Sequence, residues 1–540
     1  MGYVTATRLR LTGMPPGVLP LALSHTPLGI LRYTKERVFW MSETTREQLT
    51  PAHLTSAREG GQLSVTLPII VAIDTPSLGD RSYLAHDGRV GVVVDPQRDI
   101  DRVLTLAGAA GVRITHVLET HIHNDYVTGG LALAEATGAA YLVNAEDKVS
   151  FDRTPVRDGD LIAVSPQMRL RVIATPGHTF THLSYVLEGI DPPGPDDQDT
   201  EGGDGRRSET VRVVGVFTGG SLLFGATGRP DLLGQDHTDD LVHHQFASAH
   251  RLADLLPEST QVLPTHGFGS FCSAGSTGDA TASTIGTEKK QNAALTQGEE
   301  RWVADTLAGL DAYPAYYAHM APANASGPAA ADLCPPQQAD KDMLAARIAA
   351  GEWVVDLRTR TAYAAGHVTG TLNFGLDGQF ATYLGWLIPW GTPLTLLGDS
   401  PEQVAQAQRE LVRIGIDRLE GAATGTPQDW TDAEPGRLVR AEFADLAQVR
   451  HHRLVTVLDV RRASEYDDGH IDGAVHIALH ELLGRLDEVP TGEVWVHCAG
   501  GYRASIAASI LSSRGVPVVA VDDSFAEHAA ASGLPLTATT

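Results

Sequence analysis

The chain has 540 residues, with 41 basic against 66 acidic side chains and a net charge of −25 at neutral pH. This length corresponds to about three to five domains, and the acidic balance argues against nucleic acid or an anionic membrane as the partner. Because no apolar run reaches about 18 residues, the sequence predicts no membrane-spanning helix. Three cysteines exclude a disulfide scaffold and favour a reducing cytoplasm.

Residues 1–64 differ from the rest of the chain and are predicted to form a poorly ordered N-terminal extension. Their apolar stretch at 18–23 is short and interrupted by Pro20, so it does not indicate a signal peptide. From residue 65, short β-branched runs bounded by turn residues predict strands, and they alternate with helical patterns. This alternation predicts an α/β layered domain over residues 65–300.

Inside this first domain, the segment 191–209 is dense in Pro, Gly and Asp and is predicted to be a solvated loop. Residues 274–287 are a low-complexity stretch of Gly, Ser, Thr and Ala. Residues 301–337 are predicted to be a helical linker that becomes rich in Pro and Ala.

The remainder of the chain contains an internal repeat with an offset of 103 residues. Residues 356–370 agree with residues 459–473 in the type and spacing of Asp, Arg, Tyr, Gly-His and a final Gly. The repeat predicts two tandem α/β domains, at 338–430 and 437–540.

Histidines follow several of the predicted strands of the first domain. The motif His121-Ile-His123-Asn-Asp125 comes after one strand, His178 follows Pro-Gly after another, and His266 lies in Pro-Thr-His-Gly. Because strands fix the backbone while the loops aim the ring nitrogens, this pattern indicates a metal site. His182, His237, His243 and His244 are interpreted as structural or surface residues.

The first domain resembles the metallo-β-lactamase fold, and within it the branch of glyoxalase II and persulfide dioxygenases. The motifs that carry the resemblance are Glu119–Asp125, Thr175–Thr179, Phe217–Leu222, Gly228–Asp231 and Leu263–Phe268. The resemblance implies an αββα sandwich. It also implies either a binuclear hydrolase centre or a single Fe(II) held by two His and one Asp, which leaves positions open for O₂ and substrate.

Two departures from this family pattern bear on the metal. Tyr126 stands where binuclear members carry a His, which makes a binuclear zinc hydrolase less favoured, and Gly220 stands where the family has a metal-binding Asp. The hypothesis is therefore a mononuclear site of His121, His123 and His178. The alternatives are that Asp125 or a water replaces the missing carboxylate, or that the site is weak or empty.

The expected cofactor is one Fe(II), with Zn(II) as the alternative. Asp125 and His266 are candidates for the metal site or its immediate surroundings.

The last domain carries a cysteine between a buried strand and a helix. Cys498 is followed by Ala499, Gly500, Gly501 and Tyr502, whose amides are predicted to cradle an anionic sulfur, and then by Arg503. The loop amides, the helix dipole and Arg503 would all stabilise a thiolate. The other two cysteines are less suggestive, although Cys272 follows His266 closely.

Residues 437–540 resemble a rhodanese domain, which implies that Cys498 is the nucleophile and persulfide carrier of a sulfurtransferase, with Arg503 in the catalytic loop. In the first repeat, Gly398 aligns with Cys498 and Gln403 with Arg503. Residues 338–430 are therefore interpreted as a degenerate rhodanese domain, a catalytically dead spacer or docking module. The fold class is an α/β multidomain chain, a metallo-β-lactamase sandwich followed by two tandem rhodanese domains.

This combination resembles fused persulfide dioxygenase–rhodanese proteins of sulfide detoxification. It implies that a low-molecular-weight thiol persulfide and O₂ give sulfite at the metal, and that Cys498 exchanges sulfur between sulfite and thiosulfate. The thiol stays open among glutathione, mycothiol, bacillithiol and coenzyme A, and a homo-oligomer is compatible with this reading. The alternatives are a metal-dependent thioester hydrolase of glyoxalase II type and a sulfurtransferase whose front domain is not catalytic.

Overall fold

The computed structural model describes residues 33–34, 37–38, 67–191, 210–274 and 280–539. The chain divides into two compact units, Met1–Leu63 and Ser64–Thr540. In the first unit the described residues form one antiparallel strand pair, β1 (Tyr33–Thr34) and β2 (Arg37–Val38). The expectations for the remainder of residues 1–64 and for the loop at 192–209 lie outside the described residues.

The second unit begins with two six-stranded sheets that face each other. The strands of the first sheet, in spatial order, are β3 (Ile69–Thr75), β4 (Asp80–His86), β5 (Val90–Val94), β6 (Arg113–Leu118), β7 (Ala140–Asn144) and β8 (Thr154–Val156). The strands of the second sheet, in chain order, are β9 (Leu161–Ser165), β10 (Met168–Ala174), β11 (Leu183–Asp191), β12 (Thr210–Gly219), β14 (Gln261–Pro264) and β16 (Ser283–Thr284).

Helices cover the outer face of each sheet. Those on the first sheet are α1 (Asp101–Ala110) and α2 (Gly130–Thr137). Those beside the second sheet are α3 (Gln235–Leu255), α4 (Ile285–Gln291), α5 (Ala293–Thr296) and α6 (Glu299–Ala308). A short pair, β13 (Thr227–Gly228) and β15 (Ser273–Ala274), lies at one edge. This is the four-layer αββα sandwich expected from the sequence.

Alternation of apolar and polar residues explains the central layers. Along β10 the residues alternate between buried and partly exposed positions, and Leu170 and Val172 contribute to the core between the sheets. Tyr83 and Leu118 enter the same core from the first sheet, and Tyr185 enters it from β11. The loops after β6, β10 and β14, which carry the histidines, emerge at one common edge of the two sheets.

Residues 301–337 contain the end of α6 and a further helix, α7 (Tyr317–Ser326). This helix packs against the loop that carries the histidine motif. The amide of Asn324 donates hydrogen bonds to the carbonyls of His123 and Tyr126, at 2.9 and 2.8 Å. The segment predicted as a linker is thus part of the support of the loop that carries His121 and His123.

A four-stranded parallel sheet follows, in the spatial order β18-β17-β19-β20. Its elements are α8 (Lys341–Ala349), β17 (Trp353–Asp356), α9 (Arg360–Ala365), β18 (Leu372–Asn373), α10 (Phe380–Leu387), β19 (Leu394–Gly398), α11 (Pro401–Arg413), β20 (Leu419–Thr424) and α12 (Pro427–Trp430). Among the described residues no helix is both long and apolar enough to cross a bilayer.

The last region is a five-stranded parallel sheet in the order β21-β26-β25-β22-β24. Its elements are β21 (Val439–Ala441), α13 (Phe443–Arg450), β22 (Thr456–Asp459), α14 (Ala463–Asp468), β23 (His470–Ile471), β24 (Val475–His476), 3₁₀ turns at Leu479–Gly484 and Leu486–Glu488, β25 (Val494–His497), α15 (Tyr502–Ser513), β26 (Val518–Val521), a π-helical turn at Phe525–Ala529 and β27 (Leu536–Thr537).

The sequence repeat is reproduced as a structural repeat. In the first copy, Arg358 donates to both carboxylate oxygens of Asp356 and to the carbonyl of Gly366. In the second copy, Arg461 makes the same bonds to Asp459 and to the carbonyl of Gly469. The repeated Asp-x-Arg therefore fixes the same loop in both sheets.

A buried carboxylate joins the first domain to the first repeat. Asp99 lies before α1, is fully buried, and contacts three arginines. Arg102 and Arg413 bind it at 2.8 and 2.7 Å, and Arg409 binds it at 3.3 Å. Burial opposes ionisation, but the arginines outweigh it and lower the pKa of Asp99. Because Arg409 and Arg413 both belong to α11, this cluster holds the two domains together.

Replacing Asp99 by Ala is expected to reduce the free energy of unfolding by about 3 kcal/mol, since it leaves the buried guanidinium of Arg413 without its counter-charge. Chemical denaturation measures this. The matched control is Asp305→Ala, which breaks an exposed pair with Arg301 and should change stability by no more than about 0.5 kcal/mol. Equal effects of the two substitutions would contradict the structural role of Asp99.

Candidate functional site

The histidine cluster lies at the common edge of the two sheets. The loop after β6 delivers His121, His123 and Asp125, the loop after β10 delivers His178, and His266 follows β14. All five side chains are buried. Three loops that are far apart in sequence therefore converge on one buried cluster.

The buried carboxylate of Asp95 connects the loop that carries His121 to the loop that carries His266. Asp95 has a left-handed φ of 50° and is fully buried. It accepts hydrogen bonds from the amide and hydroxyl of Thr120, at 2.7 and 2.8 Å, and from the hydroxyl of Thr265. Because Thr120 precedes His121 and Thr265 precedes His266, Asp95 sets the positions of both histidines. The sequence interpretation missed Asp95, whose only signal was its place at the end of a buried strand.

Hydrogen bonds also determine which ring nitrogen carries the proton in three histidines, beginning with His121 and His178. The hydroxyl of Thr120 donates to Asp95, so toward Nδ1 of His121 it acts as an acceptor, at 2.9 Å. Nδ1 of His178 faces the carbonyl oxygen of Arg229 at 2.8 Å, and a carbonyl only accepts. In each ring Nδ1 therefore carries the proton and Nε2 keeps its lone pair, as metal binding through Nε2 requires.

His266 is oriented by two carboxylates in the same way. Its Nδ1 lies 3.0 Å from Asp80 Oδ1 and 3.1 Å from Asp125 Oδ2, while its Nε2 lies 3.4 Å from Nε2 of His121. Burial lowers the pKa of His266, but Asp125 and Asp80 outweigh burial and raise it to about 10. A metal ion bound at Nε2 would therefore displace a proton.

The Nε2 nitrogen of His123 faces two carboxylates rather than the other histidine rings. Its Nε2 lies 3.3 Å from both Asp95 and Glu119 and 3.0 Å from the hydroxyl of Tyr126. Burial lowers the pKa of His123, but Asp95 and Glu119 raise it to about 9. Nδ1 has no hydrogen-bond partner among the described atoms, so it is the nitrogen left to bind a metal. The sequence interpretation did not assign Glu119 a role.

The structure groups the predicted ligands differently from the sequence hypothesis. His121 and His123 offer ligand atoms within 4.8 Å of His266, and His178 does so with His266 and Cys272. The set of His121, His123 and His178 is not among these groups, although the His121 and His178 ring centres are 4.8 Å apart. His266 is thus shared by both groups, and the ligand set stays a prediction. His182 uses both ring nitrogens, accepting from Gly220 N and contacting Thr175.

The lack of space around Gly220 explains why the aspartate expected at this position is missing. A Cβ built on Gly220 would overlap the ring of His178, at Cδ2. No side chain is therefore compatible with this position of His178. Tyr126 likewise places a hydroxyl against Asp95 and His123 where a second-metal ligand would be needed. The buried ring nitrogens of the cluster are donors suited to a divalent metal ion.

The second site lies between β25 and α15. Cys498 is buried, and the amide of Gly501 donates to its Sγ at 3.2 Å. Gly501 has φ of 90° and packs against Asp522, so that a Cβ there would overlap the carboxylate. The loop therefore needs glycine to bring its amide onto the sulfur.

Arg503 lies beside this loop but is already paired. It binds Glu465 through two hydrogen bonds of 2.6 and 2.7 Å. Burial opposes the ionised form of Glu465, but Arg503 outweighs it and lowers the pKa of the carboxyl to about 2. Glu465 thus fixes the guanidinium, and the sequence interpretation missed it because it lies in another part of the domain.

The cavity over Cys498 is built by both repeats and has a volume of about 270 Å³. Cys498, Gly500, Tyr502 and Arg503 line it from the last domain, and Gly378, Gln379 and Tyr383 line it from the first repeat. The Tyr502 hydroxyl also donates to the carbonyl of Gly375 at 2.7 Å. The first repeat, interpreted from sequence as a spacer or docking module, therefore forms one wall of the cavity. Cys334 is exposed and lies outside both sites.

Comparisons with known proteins agree with this division. The metallo-beta-lactamase superfamily model matches residues 81–233, and the rhodanese-like domain model matches residues 442–531. A crystal structure of a metallo-beta-lactamase from Staphylococcus aureus subsp. aureus COL is 26% identical, with a TM-score of 0.55. The match covers 67% of this chain and 99% of that one. The chain therefore contains a metallo-β-lactamase fold followed by a rhodanese domain.

Curated relatives match the first domain only in part. A hydroxyacylglutathione hydrolase of Rhodospirillum rubrum is 41% identical over 96 residues, which are 17% of this chain and 36% of the relative. Another, of Methylobacillus flagellatus, is 34% identical over 109 residues, which are 20% of this chain and 43% of the relative. The chain thus spans less than half the length of these two relatives.

Replacing Gly220 by Ala is expected to displace the ring of His178 and to weaken metal binding about tenfold or more, an effect like the loss of a supporting contact. Titration with Zn(II) or Fe(II) measures the affinity. Gly108→Ala is the matched control, because a Cβ at Gly108 meets nothing within 4 Å. Unchanged affinity in a folded Gly220→Ala protein would contradict the placement of His178.

Proposed function

We propose that the chain oxidises a low-molecular-weight thiol persulfide to sulfite at a mononuclear metal and transfers sulfane sulfur through Cys498. The observation that carries the proposal is the amide of Gly501 donating to the sulfur of Cys498 inside a cavity of about 270 Å³. A backbone donor aimed at a buried sulfur stabilises the thiolate and the anionic persulfide formed from it.

This geometry supports sulfur transfer at Cys498. The thiolate attacks the terminal sulfur of a persulfide, the sulfur–sulfur bond breaks, and the carrier thiolate leaves with the electron pair. Cys498 persulfide then gives its outer sulfur to sulfite and forms thiosulfate. The reverse reaction uses thiosulfate and releases sulfite. The Arg503–Glu465 pair positions a guanidinium beside the loop without leaving it as an uncompensated charge.

The first domain would supply the sulfite. One persulfide, one O₂ and one water give one thiol, one sulfite and two protons. A bound Fe(II) would provide the Lewis acidity and the open coordination positions that this oxidation needs. His121, His123 and His178, together with His266, are proposed to hold the metal. Asp95 positions the loops of His121, His123 and His266, and the carbonyl of Arg229 orients His178. Burial of the cluster excludes bulk water from the reacting sulfur.

Within this proposal, residues 338–430 are a degenerate rhodanese domain. The shared hydrogen bonds of Arg358 and Arg461 support a common origin of the two repeats. Gly398 ends β19 at the place that Cys498 takes after β25, so this repeat brings no nucleophile. A reduced Cys498 suits a reducing cytoplasm.

A metal-dependent thioester hydrolase is the second candidate, because the curated relatives of the first domain are hydroxyacylglutathione hydrolases. Tyr126 counts against it, since this residue stands in place of a ligand of the second metal in a binuclear centre. Zn(II) would be the metal in that case. A third candidate keeps only the sulfur transfer at Cys498.

Replacing Cys498 by Ser is expected to abolish thiosulfate:cyanide sulfur transfer, because a hydroxyl cannot carry the sulfane sulfur. Thiocyanate formation measures the activity. Cys334→Ser is the control and should retain full activity, because Cys334 is exposed and remote from the cavity. Full activity in Cys498→Ser would remove Cys498 as the nucleophile.

Protein loaded anaerobically with Fe(II) is expected to consume O₂ when a low-molecular-weight persulfide is added, with sulfite or thiosulfate formed. An oxygen electrode and product analysis measure this. Metal-free protein is the control and should consume none above background. If iron is bound and no uptake occurs, the dioxygenase is excluded, and release of thiol from an acylated glutathione would then support the hydrolase.

A further inference from the structure

Cys272 lies inside the histidine cluster, and the proposed function gives it no role. The residue precedes β15 and is fully buried. One ligand atom each from Cys272, His178 and His266 lie within 4.8 Å of one another. The thiol also lies 3.8 Å from the hydroxyl of Tyr317. The spacing of these three donors is that of groups around one metal ion.

The second observation is the unpartnered nitrogen of His178. Its Nδ1 is engaged with the carbonyl of Arg229, and its buried Nε2 has no hydrogen-bond partner among the described atoms. The same Arg229 donates its amide to the carbonyl of Cys272 at 2.8 Å. One residue therefore holds both donors in place, and a buried lone pair without a partner is costly unless a ligand completes it.

The third observation is the missing side chain at position 220. The ring of His178 occupies the space in which a Cβ would lie, so no carboxylate side chain fits at position 220. A thiolate at Cys272 would restore one negative charge to the metal. The charge balance would then equal that of a site with two histidines and one aspartate.

We propose that Cys272 binds the metal through its Sγ, together with His178 and His266. This rests on the metal centre of the proposed function. On binding, the thiol loses its proton to solvent and the sulfur donates an electron pair to the metal, with no change of oxidation state. Mixed imidazole and thiolate donors suit Fe(II), Zn(II) and Co(II).

The test uses Co(II) in the full chain carrying Cys334→Ser and Cys498→Ser, so that Cys272 is the only cysteine of the three. We expect Co(II) to bind and to give an intense near-ultraviolet band from thiolate-to-cobalt charge transfer. Further replacement by Cys272→Ser should abolish the band. Tyr317→Phe is the matched control, because it removes the neighbouring hydroxyl and keeps the thiol, so the band should remain.

The outcomes separate this proposal from the one on which it rests. Bound Co(II) with visible ligand-field bands but no charge-transfer band would overturn thiolate ligation and leave the metal centre intact. Failure of the protein to bind Co(II), Fe(II) or Zn(II) would overturn the metal centre and the proposal with it. If Cys272→Ser does not fold, X-ray absorption of the Co(II) protein decides, since a sulfur neighbour at about 2.3 Å is expected.

Discussion

The arrangement of the first site depends on the buried carboxylate of Asp95. It bonds to Thr120 and Thr265, which are separated by 145 positions in the chain, and it lies 3.3 Å from His123. An ionised carboxylate in this position would be strongly unfavourable without several donors. The donors come from both sheets of the sandwich. The hydrogen bonds to Asp95 therefore fix the edge at which the histidines meet. The left-handed φ of Asp95 directs its carboxylate toward that edge.

A similar constraint connects the domains. Asp99, only four residues further along the chain, is satisfied by arginines of α11 in the first repeat. Arg98, the residue before it, binds Asp417 at 2.6 Å. The short segment after β5 therefore supports the histidine loops on one side and fixes the first repeat on the other.

Sequence patterns predicted the features that are local in the chain. The histidine motif, the loop from Cys498 to Arg503 and the repeated Asp-x-Arg each lie within a few residues, so spacing alone identified them. The strand–helix alternation likewise predicted the layered fold. Asp95 and Glu465 escaped notice because their partners lie in other elements, and only the folded chain brings them together.

Contacts between distant parts of the chain could not be predicted from the sequence either. At Gly220 the sequence showed the loss of a carboxylate, but it could not show that the His178 ring fills the vacated space. Nor could it show that Gln379 and Tyr383 line the cavity over Cys498. A repeat without a nucleophile was therefore interpreted as a spacer. The cavity contacts give it a function that does not depend on having a cysteine.

One loop contacts the surroundings of both sites. Cys272 lies in the histidine cluster, and the neighbouring Phe271 packs edge-on against Trp386 with ring centres 5.1 Å apart. Trp386 stacks with Tyr383, which lines the Cys498 cavity and packs against Tyr502. The two sites are thus joined by continuous side-chain packing. The last domain taken alone would keep Cys498 and lose the cavity wall formed by Gly378, Gln379 and Tyr383, so the complete cavity is a property of the assembled chain.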